Sequence, residues 1–455
     1  MTAQLSILQT AWSALGQDPA ALEGVRPGGA PELSSRLAVD HLVRDSVASA
    51  SLAAALLNDP APDVSLDSAR IRTAVTSDRH IKIDGKRPDV WAELSGFWPA
   101  SDGWVRTHAN YPHHRARLLH ALDLNESATK KEFGARLQEL ETAQIEQRAA
   151  YHGAIAVQVR TPSQWRTYPQ SQAVRADPLV TYQTDDHVGA SHAHPLRDQP
   201  QAPLAGVRVL DLTRVIAGPV ATRSLALLGA DVLRVDAPHL EEPQWQHLDT
   251  GAGKRSTLLD LHERRDRAVF DDLLAGADVL VTGYRLAALD AFDLDPQTLT
   301  QRHPGLIIGR LSAWGTEGPW ALRRGFDSIV QAATGIAVIE ADGAPTPGAL
   351  PAQALDHSAG YLLAAGLLTA LRHRRTTGTG ATVEVSLARI AQELLQYPLL
   401  DTRPPGSGLE ATTTTVDTLA GPVTYAQPAL QYTDGPNTWP APSRPWGKDL
   451  ATWRP

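Results

Sequence analysis

The sequence contains no cysteine, and its one methionine is residue 1. Disulfide bonds, thiolate catalysis and cysteine metal sites are therefore excluded. The 455 residues carry a net charge of −8 without a long basic run, which argues against a nucleic-acid partner. No uninterrupted apolar stretch of about 18 residues is present, so no membrane span is expected. Residues 1–16 lack the pattern of a secretory signal. These absences favour a cytoplasmic globular protein.

The first 200 residues show mainly helical patterns with a few short strands. We predict helices over 34–57 and 132–151, a short strand entering a turn over 81–86, and a turn followed by a strand over 101–108. Residues 185–202, rich in His, Asp, Gln and Pro, are predicted to form a linker.

After residue 203 the pattern changes to alternating strands and helices. Strands are predicted over 207–212, 232–236, 278–282 and 306–311, and helices over 220–228 and 265–274. Such units predict a parallel sheet with helices on both faces, because each crossover helix returns the chain to the end of the sheet where the previous strand began. Residues 399–455, rich in Pro, Gly and Thr, predict an irregular packed tail.

Two phosphate-binding motifs are incomplete. The turn Ala217-Gly218-Pro219 lacks the three glycines of a dinucleotide fingerprint, which excludes that mode of NAD binding. In the loop 251–256, Arg255 follows Lys254 where a Walker A motif requires Ser or Thr. This loop is either a looser phosphate contact or a solvated basic loop.

Paired histidines also raise the possibility of a metal site. His192 and His194 form one pair, and His108, His113 and His114 form a second group. Neither group has the spacing of a known zinc motif, so surface histidines are the preferred interpretation and no metal is expected. A nucleophile elbow of the G-x-S-x-G type is also absent, which argues against a serine hydrolase.

Asp356 is the strongest single candidate for catalysis. It precedes an apolar helix predicted over 358–374. An aspartate at this position commonly caps a helix by accepting hydrogen bonds from free backbone N–H groups. Alternatively, the carboxylate is a nucleophile that attacks an activated acyl carbon, and the helix N-terminus would hold it ionised. The local sequence leaves both roles open.

A series of segments over residues 203–390 resembles the family III CoA-transferases of the CaiB/BaiF type, which include carnitine and formyl-CoA transferases. The order and spacing of the segments carry the resemblance. They are residues 203–213, Ala217-Gly218-Pro219, residues 228–232, Lys254-Arg255-Ser256 with residues 259–261, residues 277–281, Gly315 to Pro319, Phe326-Asp327 with Gln331 and Gly335, and Asp356 with Gly360 and residues 377–380.

The position of these segments in the chain is unusual, because family members normally begin near the first of them. Residues 102–106 are similar to a family segment that usually follows the nucleophile block, and residues 160–165 to one near the usual C-terminus. The resemblance therefore implies that residues 1–184 correspond to the usual C-terminal part, and residues 203–398 to the Rossmann-like part that carries the nucleophile.

The resemblance implies an α/β fold with a Rossmann-like parallel sheet, a smaller mixed α+β domain, and intertwined homodimers. It also implies transfer of CoA from a donor thioester to an acceptor carboxylate through covalent intermediates on Asp356. Acyl-CoA and a carboxylate would be the substrates, with no tightly bound cofactor and no nucleic-acid or membrane partner.

Contacts to CoA carry over to individual positions of this sequence. The matching residues are Val215, Ile216, Leu259, His262, Tyr284 and Arg324. Ile216, Gly283 and Ala291 replace polar residues of some members, and the glycine-rich loop of formyl-CoA transferases is missing. A CoA-ester-binding protein with little or no activity is therefore the alternative. An acyl-CoA racemase is disfavoured, because Phe326 stands where that branch has histidine.

Overall fold

The computed structural model describes residues 6–26, 28–188, 199–406 and 408–454. The helices are α1 Ile7–Ala14, α2 Val39–Ala55, α3 Ser68–Val75, α4 Pro112–Ala121, α5 Lys130–Gln138, α6 Thr142–Tyr151, α7 Pro162–Thr167, α8 Pro169–Ala176, α9 Ala217–Leu227, α10 Gln244–Thr250, α11 Arg264–Ala275, α12 Pro296–Arg302, α13 Asp327–Thr334, α14 Ile336–Ile339, α15 Ala354–Thr377 and α16 Leu387–Leu394. Short 3-10 helices span Pro19–Gly24, Ser77–Arg79 and Asp290–Phe292.

The strands form one large sheet and several small ones. They are β1 Val25–Arg26, β2 Val64–Ser65, β3 Lys82–Ile83, β4 Gly96–Pro99, β5 Trp104–Thr107, β6 Ala156–Gln158, β7 Thr181–Val188, β8 Arg208–Leu212, β9 Asp231–Asp236, β10 Arg255–Leu258, β11 Val279–Thr282, β12 Ile307–Ser312, β13 Thr379–Ser386, β14 Thr413–Thr418 and β15 Gly421–Ala426.

The large sheet has the strand order β10-β9-β8-β11-β12-β13-β7. Strands β8 to β13 are parallel, with Val279 opposite Val209 on one side and Ile307 on the other. Every residue of β9 is buried, as expected for a parallel strand covered by helices on both faces. The predicted α/β fold with a Rossmann-like parallel sheet is thus confirmed, and the strand order reverses between β8 and β11.

The seventh strand of this sheet comes from the N-terminal part of the chain. β7 pairs antiparallel with β13, and Thr184 lies opposite Ala381. Residues 185–188 therefore belong to a strand rather than to the predicted linker 185–202, because the free edge of β13 supplies hydrogen-bonding partners that local sequence does not reveal. Residues 189–198 of that linker lie outside the described residues.

The main hydrophobic core also combines both parts of the chain. Trp12, Leu42 and Val180 belong to the same buried cluster as Val220 and Leu363. α2 packs along α15, and α15 packs on α9 and β13. A second core lies between the antiparallel sheet β4-β5-β6 and helices α4 to α6, and it corresponds to the smaller α+β unit.

Two further predictions of secondary structure need correction. The single helix over 132–151 is two helices, because Glu141 starts α6 with its own capping box after α5 has ended at Gln138. The tail over 399–455 is not wholly irregular, since β14 and β15 form a hairpin that pairs with β3. None of the helices in the described residues is long and apolar enough to cross a bilayer.

Candidate active site

A cavity of about 1200 Å³, counting the open space at its mouth, lies at the carboxyl ends of β8, β11 and β12. This is the point where the strand order reverses, and ligands of open α/β sheets bind in the crevice there. Leu212 and Arg214 line it after β8, Tyr284 after β11, and Ser312 at the end of β12. Asp356 lies on its wall.

The turn between β8 and α9 has a strained backbone. Val215 has a φ of 71°, in the left-handed region that a β-branched side chain rarely adopts. Its backbone N–H donates to Glu242 Oε1 at 2.8 Å, which helps to hold this conformation. Backbone strain of this kind is typical of functional sites. The strained turn leads directly into the N-terminus of α9, which no side chain in the described residues caps.

A close helix crossing places Asp356 beside this turn. A Cβ atom at Gly360 would lie 2.6 Å from the carbonyl oxygen of Ala217 and 2.7 Å from Val220 Cβ. Only glycine allows α15 and α9 to approach so closely. Since Asp356 precedes Gly360 by about one helical turn, the crossing brings Asp356 next to the N-terminus of α9.

Asp356 does not cap its helix. α15 begins four residues before the predicted start at 358, and Gln353 occupies the N-cap position. Asp327 serves the helix instead: its Oδ2 accepts hydrogen bonds from the backbone N–H groups of Leu355 at 2.9 Å and Asp356 at 3.0 Å. Within the described residues, no hydrogen bond reaches the Asp356 carboxylate, which leaves it free for chemistry.

The two carboxyl groups perturb each other. Asp327 also accepts from Gln331 Nε2, so its charge is compensated by three donors. Burial raises the pKa of Asp327 to about 6. Burial, and then the nearby charge of Asp327, raise the pKa of Asp356 well above its usual range. Asp356 therefore holds a proton more tightly than Asp327, contrary to the expectation that the helix N-terminus keeps it ionised.

Three of the six predicted CoA contacts line the main cavity. These are Val215, Tyr284 and Arg324. Ile216 lines a smaller neighbouring cavity that Asp356 also borders. Leu259 and His262 line neither cavity: Leu259 is buried in the cluster against which Tyr284 packs, and His262 is exposed and packs edge-on against Phe292.

The cavity has a positively charged side. Arg324 donates to the carbonyl oxygen of Gly153 at 3.3 Å, and in the described residues it forms no ion pair with a carboxylate. Burial, together with the charges of Arg117 and Arg285, lowers the pKa of Arg324 to about 10. Cations that repel one another without an acidic partner favour an anionic ligand in this cavity.

The N-terminal part of the chain also supplies side chains that line this cavity. Tyr111, His113 and His114 line the main cavity, and the guanidinium of Arg214 lies 5.1 Å from the centre of the Tyr111 ring. His108 stacks on Phe326 with ring centres 3.8 Å apart. The sequence singled out His108, His113 and His114 only as a weak metal group with surface positions preferred, whereas His108 and His114 are buried.

Both interpretations of the loop 251–256 are wrong. Lys254 is buried, and its Nζ contacts Asp211 Oδ2 at 3.0 Å, Thr222 Oγ1 at 2.6 Å and the carbonyl oxygen of Pro219 at 2.8 Å. Arg255 forms a two-pronged pair with Asp231. Both cations are thus structural, because buried carboxylates of the parallel sheet take up their charge.

Across the residues that the structure describes, no group of three or more His, Asp or Glu side chains is arranged to hold a metal ion. His192 and His194 lie outside those residues.

Comparison with known proteins identifies the central part of the chain. The pattern of CoA-transferase family III matches residues 204–426. A probable fatty acyl-CoA transferase of Mycobacterium tuberculosis is 34% identical over 218 residues, which cover 44% of this chain and 54% of that protein. The alpha subunit of succinyl-CoA–L-malate CoA-transferase from Chloroflexus aurantiacus is 31% identical over 226 residues, covering 46% of this chain and 51% of that one.

Two further matches cover a similar share of the chain. An acetyl-CoA:oxalate CoA-transferase of Acetobacter aceti is 31% identical and covers 44% of this chain and 55% of that protein. A crystal structure of a hypothetical protein from Mycobacterium tuberculosis is 34% identical, with a TM-score of 0.40 and coverage of 44% of this chain and 58% of that one. The chain spans about half the length of the curated relatives it matches. Residues 204–426 of this chain belong to CoA-transferase family III.

Proposed function

We propose that this protein is an acyl-CoA transferase that moves CoA from a donor thioester to an acceptor carboxylate through covalent intermediates on Asp356. The observation that carries the proposal is the Asp356 carboxylate, which accepts no hydrogen bond from the described residues and borders two cavities. The family match of residues 204–426 supports the same reaction. A carboxylate with a raised pKa is also a stronger nucleophile once it has lost its proton.

The reaction proceeds by two exchanges. The Asp356 carboxylate attacks the thioester carbonyl, the C–S bond breaks, and a mixed anhydride and CoA thiolate form. The thiolate then attacks the Asp356 carbonyl of the anhydride, which releases the donor acid and leaves an aspartyl-CoA thioester. The acceptor carboxylate repeats these steps in reverse order, so CoA leaves on the acceptor and Asp356 is regenerated.

The uncapped start of α9 is suited to stabilise the tetrahedral intermediates. The backbone N–H groups of Ala217 and Gly218 belong to the first turn of that helix, where N–H groups have no partner within the helix. They lie beside Asp356 because α15 crosses α9 at Gly360. Such donors, fixed before the reaction, stabilise the charge that develops on the carbonyl oxygen.

The remaining contacts fit an extended CoA molecule. Val215 and Tyr284 would contact the pantetheine arm in the main cavity, and Arg324 would meet a phosphate group. Ile216 would contact the thioester end, while Leu259 and His262, outside the cavity, would lie at the adenine end. The proposal includes a cytoplasmic homodimer, and light scattering during size-exclusion chromatography tests the dimer.

The stacking of His108 on Phe326 favours a second candidate, α-proton exchange on the acyl-CoA. Although Phe326 replaces the histidine of the racemase branch, His108 and His114 bring imidazoles to the same ring. Burial lowers the pKa of His108 to about 3 and that of His114 to about 2, so both are weak bases. Transfer therefore remains the leading function, and deuterium incorporation at the α-carbon tests the second.

The decisive experiment is to trap the acyl-enzyme. Wild-type protein is incubated with a panel of acyl-CoA donors, then treated with hydroxylamine, and the modified residue is located by peptide mass spectrometry. We expect a hydroxamate at Asp356 and release of free CoA. Asp356→Ala should give neither, whereas Asp89→Ala, at an exposed aspartate, should behave like wild type. Tight CoA-ester binding without any adduct across the panel would contradict the proposal and favour a binding protein.

A further inference from the structure

A second, inner cavity also borders Asp356. Without the open space, its volume is about 40 Å³ against about 280 Å³ for the main cavity, which is room for about three water-sized groups. Its aromatic walls come from both parts of the chain: Trp91, His108 and Tyr111 from the first, and Trp245 and Phe326 from the second. A cavity of this size beside Asp356 suits the few atoms of a short acyl chain rather than CoA itself.

Four side chains that line this cavity have a buried polar atom without a hydrogen-bond partner. The atoms are Asp78 Oδ1, His108 Nδ1, Ser328 Oγ and Gln353 Oε1. Leaving such an atom unpaired costs free energy, and buried polar groups in folded proteins are nearly always bonded. Four of them around one small cavity indicate that a ligand or its water completes their bonding.

The charges that line the cavity disfavour an anionic occupant. Asp78 lines it, and so does Asp327, which stays charged because three donors surround it. The buried cation Arg106 acts on the charge of Asp327, but it stacks on the rings of Trp91 and Phe97 and is not among the lining residues. A second carboxylate on the acyl chain would therefore lie between like charges.

We infer that the inner cavity selects a short hydroxylated acyl chain, whose hydroxyl group bonds to the unpaired atoms of Ser328, Gln353 and their neighbours. A hydroxyl group both donates and accepts, so it matches an amide oxygen, a serine hydroxyl and a neutral imidazole at once. A purely apolar chain would displace water and leave those atoms unpaired. This inference rests on the proposed function, in which Asp356 receives the acyl group.

The test compares three donors with equal chain length: butyryl-CoA, 3-hydroxybutyryl-CoA and succinyl-CoA. We expect kcat/KM for CoA release with the hydroxylated donor to exceed that with butyryl-CoA by about 10-fold to 100-fold, with succinyl-CoA slower than both. Equal rates, or a preference for butyryl-CoA or succinyl-CoA, would overturn the inference and leave the proposed transfer intact.

Binding distinguishes failure of the inference from failure of the proposed function. Dissociation constants for the same three esters are measured calorimetrically with wild type and with Asp356→Ala, which cannot turn over. Tighter binding of the hydroxylated ester to both proteins, without CoA release by wild type, would support the inference and contradict transfer. Equal affinity for all three esters together with no CoA release would overturn both.

Variants of the cavity localise the effect. Ser328→Ala and Gln353→Leu should each reduce the preference for the hydroxylated donor by about 10-fold, because each removes one partner of the hydroxyl group. The matched controls are Ser163→Ala and Gln172→Leu, at exposed positions of α7 and α8, and both should keep the wild-type preference. An unchanged preference in both cavity variants would show that the hydroxyl group does not bond there.

Discussion

The two regions that enclose the Asp356 cavity are built by different kinds of contact. Residues 203–398 form consecutive strand–helix units, and their sheet places the main cavity where the strand order reverses. Residues 6–188 contribute through distant pairings: β7 pairs with β13, and α2 packs along α15. The first region supplies Asp356 and all six predicted CoA contacts, whereas the second adds aromatic and imidazole groups to the cavities.

This difference separates the residues proposed for the reaction from those proposed for selectivity. Residues 203–398 alone place a carboxylate beside a helix N-terminus at the carboxyl ends of the parallel strands. The inner cavity exists only because Trp91, His108 and Tyr111 are brought against Phe326. Substitutions in residues 203–398 should therefore affect the stability of the framework. Substitutions in residues 6–188 should affect how the two regions are coupled.

The largest effect is expected from Lys254→Met in residues 203–398. The substitution leaves Asp211 buried without its cation, and breaking a buried pair in this way costs about 3–5 kcal/mol. The free energy of unfolding, measured by urea titration, should fall by that amount. Lys131→Met, at an exposed lysine, is the control. A change below about 1 kcal/mol would instead favour a loop whose charge is solvated.

Leu42→Ala tests whether the two regions share one core. Leu42 on α2 is fully buried in the cluster that also contains Leu363 of α15, and its truncation should cost about 2–5 kcal/mol. Hydrogen exchange followed by mass spectrometry should show that α2 and α15 lose protection together. Leu419→Ala, at an exposed position, should leave protection unchanged. Loss of protection confined to α2 would show that the regions unfold separately.

The sequence predicted the elements whose partners are close in the chain. Strands 207–212 and 232–236 and their crossover helix appear within a few residues of the predicted bounds, since buried parallel strands have a distinct apolar pattern. The family resemblance over residues 203–390 added the family that residues 204–426 match, which the pattern of strands and helices alone did not give.

The sequence could not reveal contacts between distant residues. Asp327 caps α15 from 28 residues before Leu355, so the capping hypothesis for Asp356 was reasonable locally and wrong in the structure. Likewise, Lys254 is neutralised by Asp211, which lies 43 residues earlier. In each case the partner is set by how helices and strands pack, and no local spacing encodes it.

Asp327→Asn is expected to change the pH dependence of the reaction. Removing the charge of Asp327 should lower the pKa of Asp356, because that charge and burial both hold it high. Asp356 must be ionised to attack, so the rate of CoA release rises with pH, and the midpoint of this rise should move to lower pH in the variant. A shift of about one pH unit corresponds to about 1.4 kcal/mol.

Stopped-flow measurement of CoA release across the pH range gives the midpoint. Asp327→Glu keeps the charge and is the control, for which the midpoint should stay near that of wild type. His108 and His114 also face this site, but burial holds their pKa values near 3 and 2, so they stay neutral over the range measured. A midpoint that does not move in Asp327→Asn would mean that burial alone sets the pKa of Asp356.

The smallest effect is expected from Thr129→Ala, in the second core, which lies within residues 6–188. Thr129 Oγ1 accepts from the backbone N–H of Glu132, and the Glu132 carboxylate accepts from the N–H of Thr129, so the pair forms a capping box for α5. Its loss costs about 1 kcal/mol. Because α5 packs in the second core and not in the core shared with α15, hydrogen exchange should rise in α5 while trapping at Asp356 stays as in wild type.

Thr129→Ser should restore protection, and Ser127→Ala, at an exposed position, should not disturb it. Increased exchange that spreads to α15 would show that the second core stabilises the catalytic helix, and the two regions would then form a single cooperative unit.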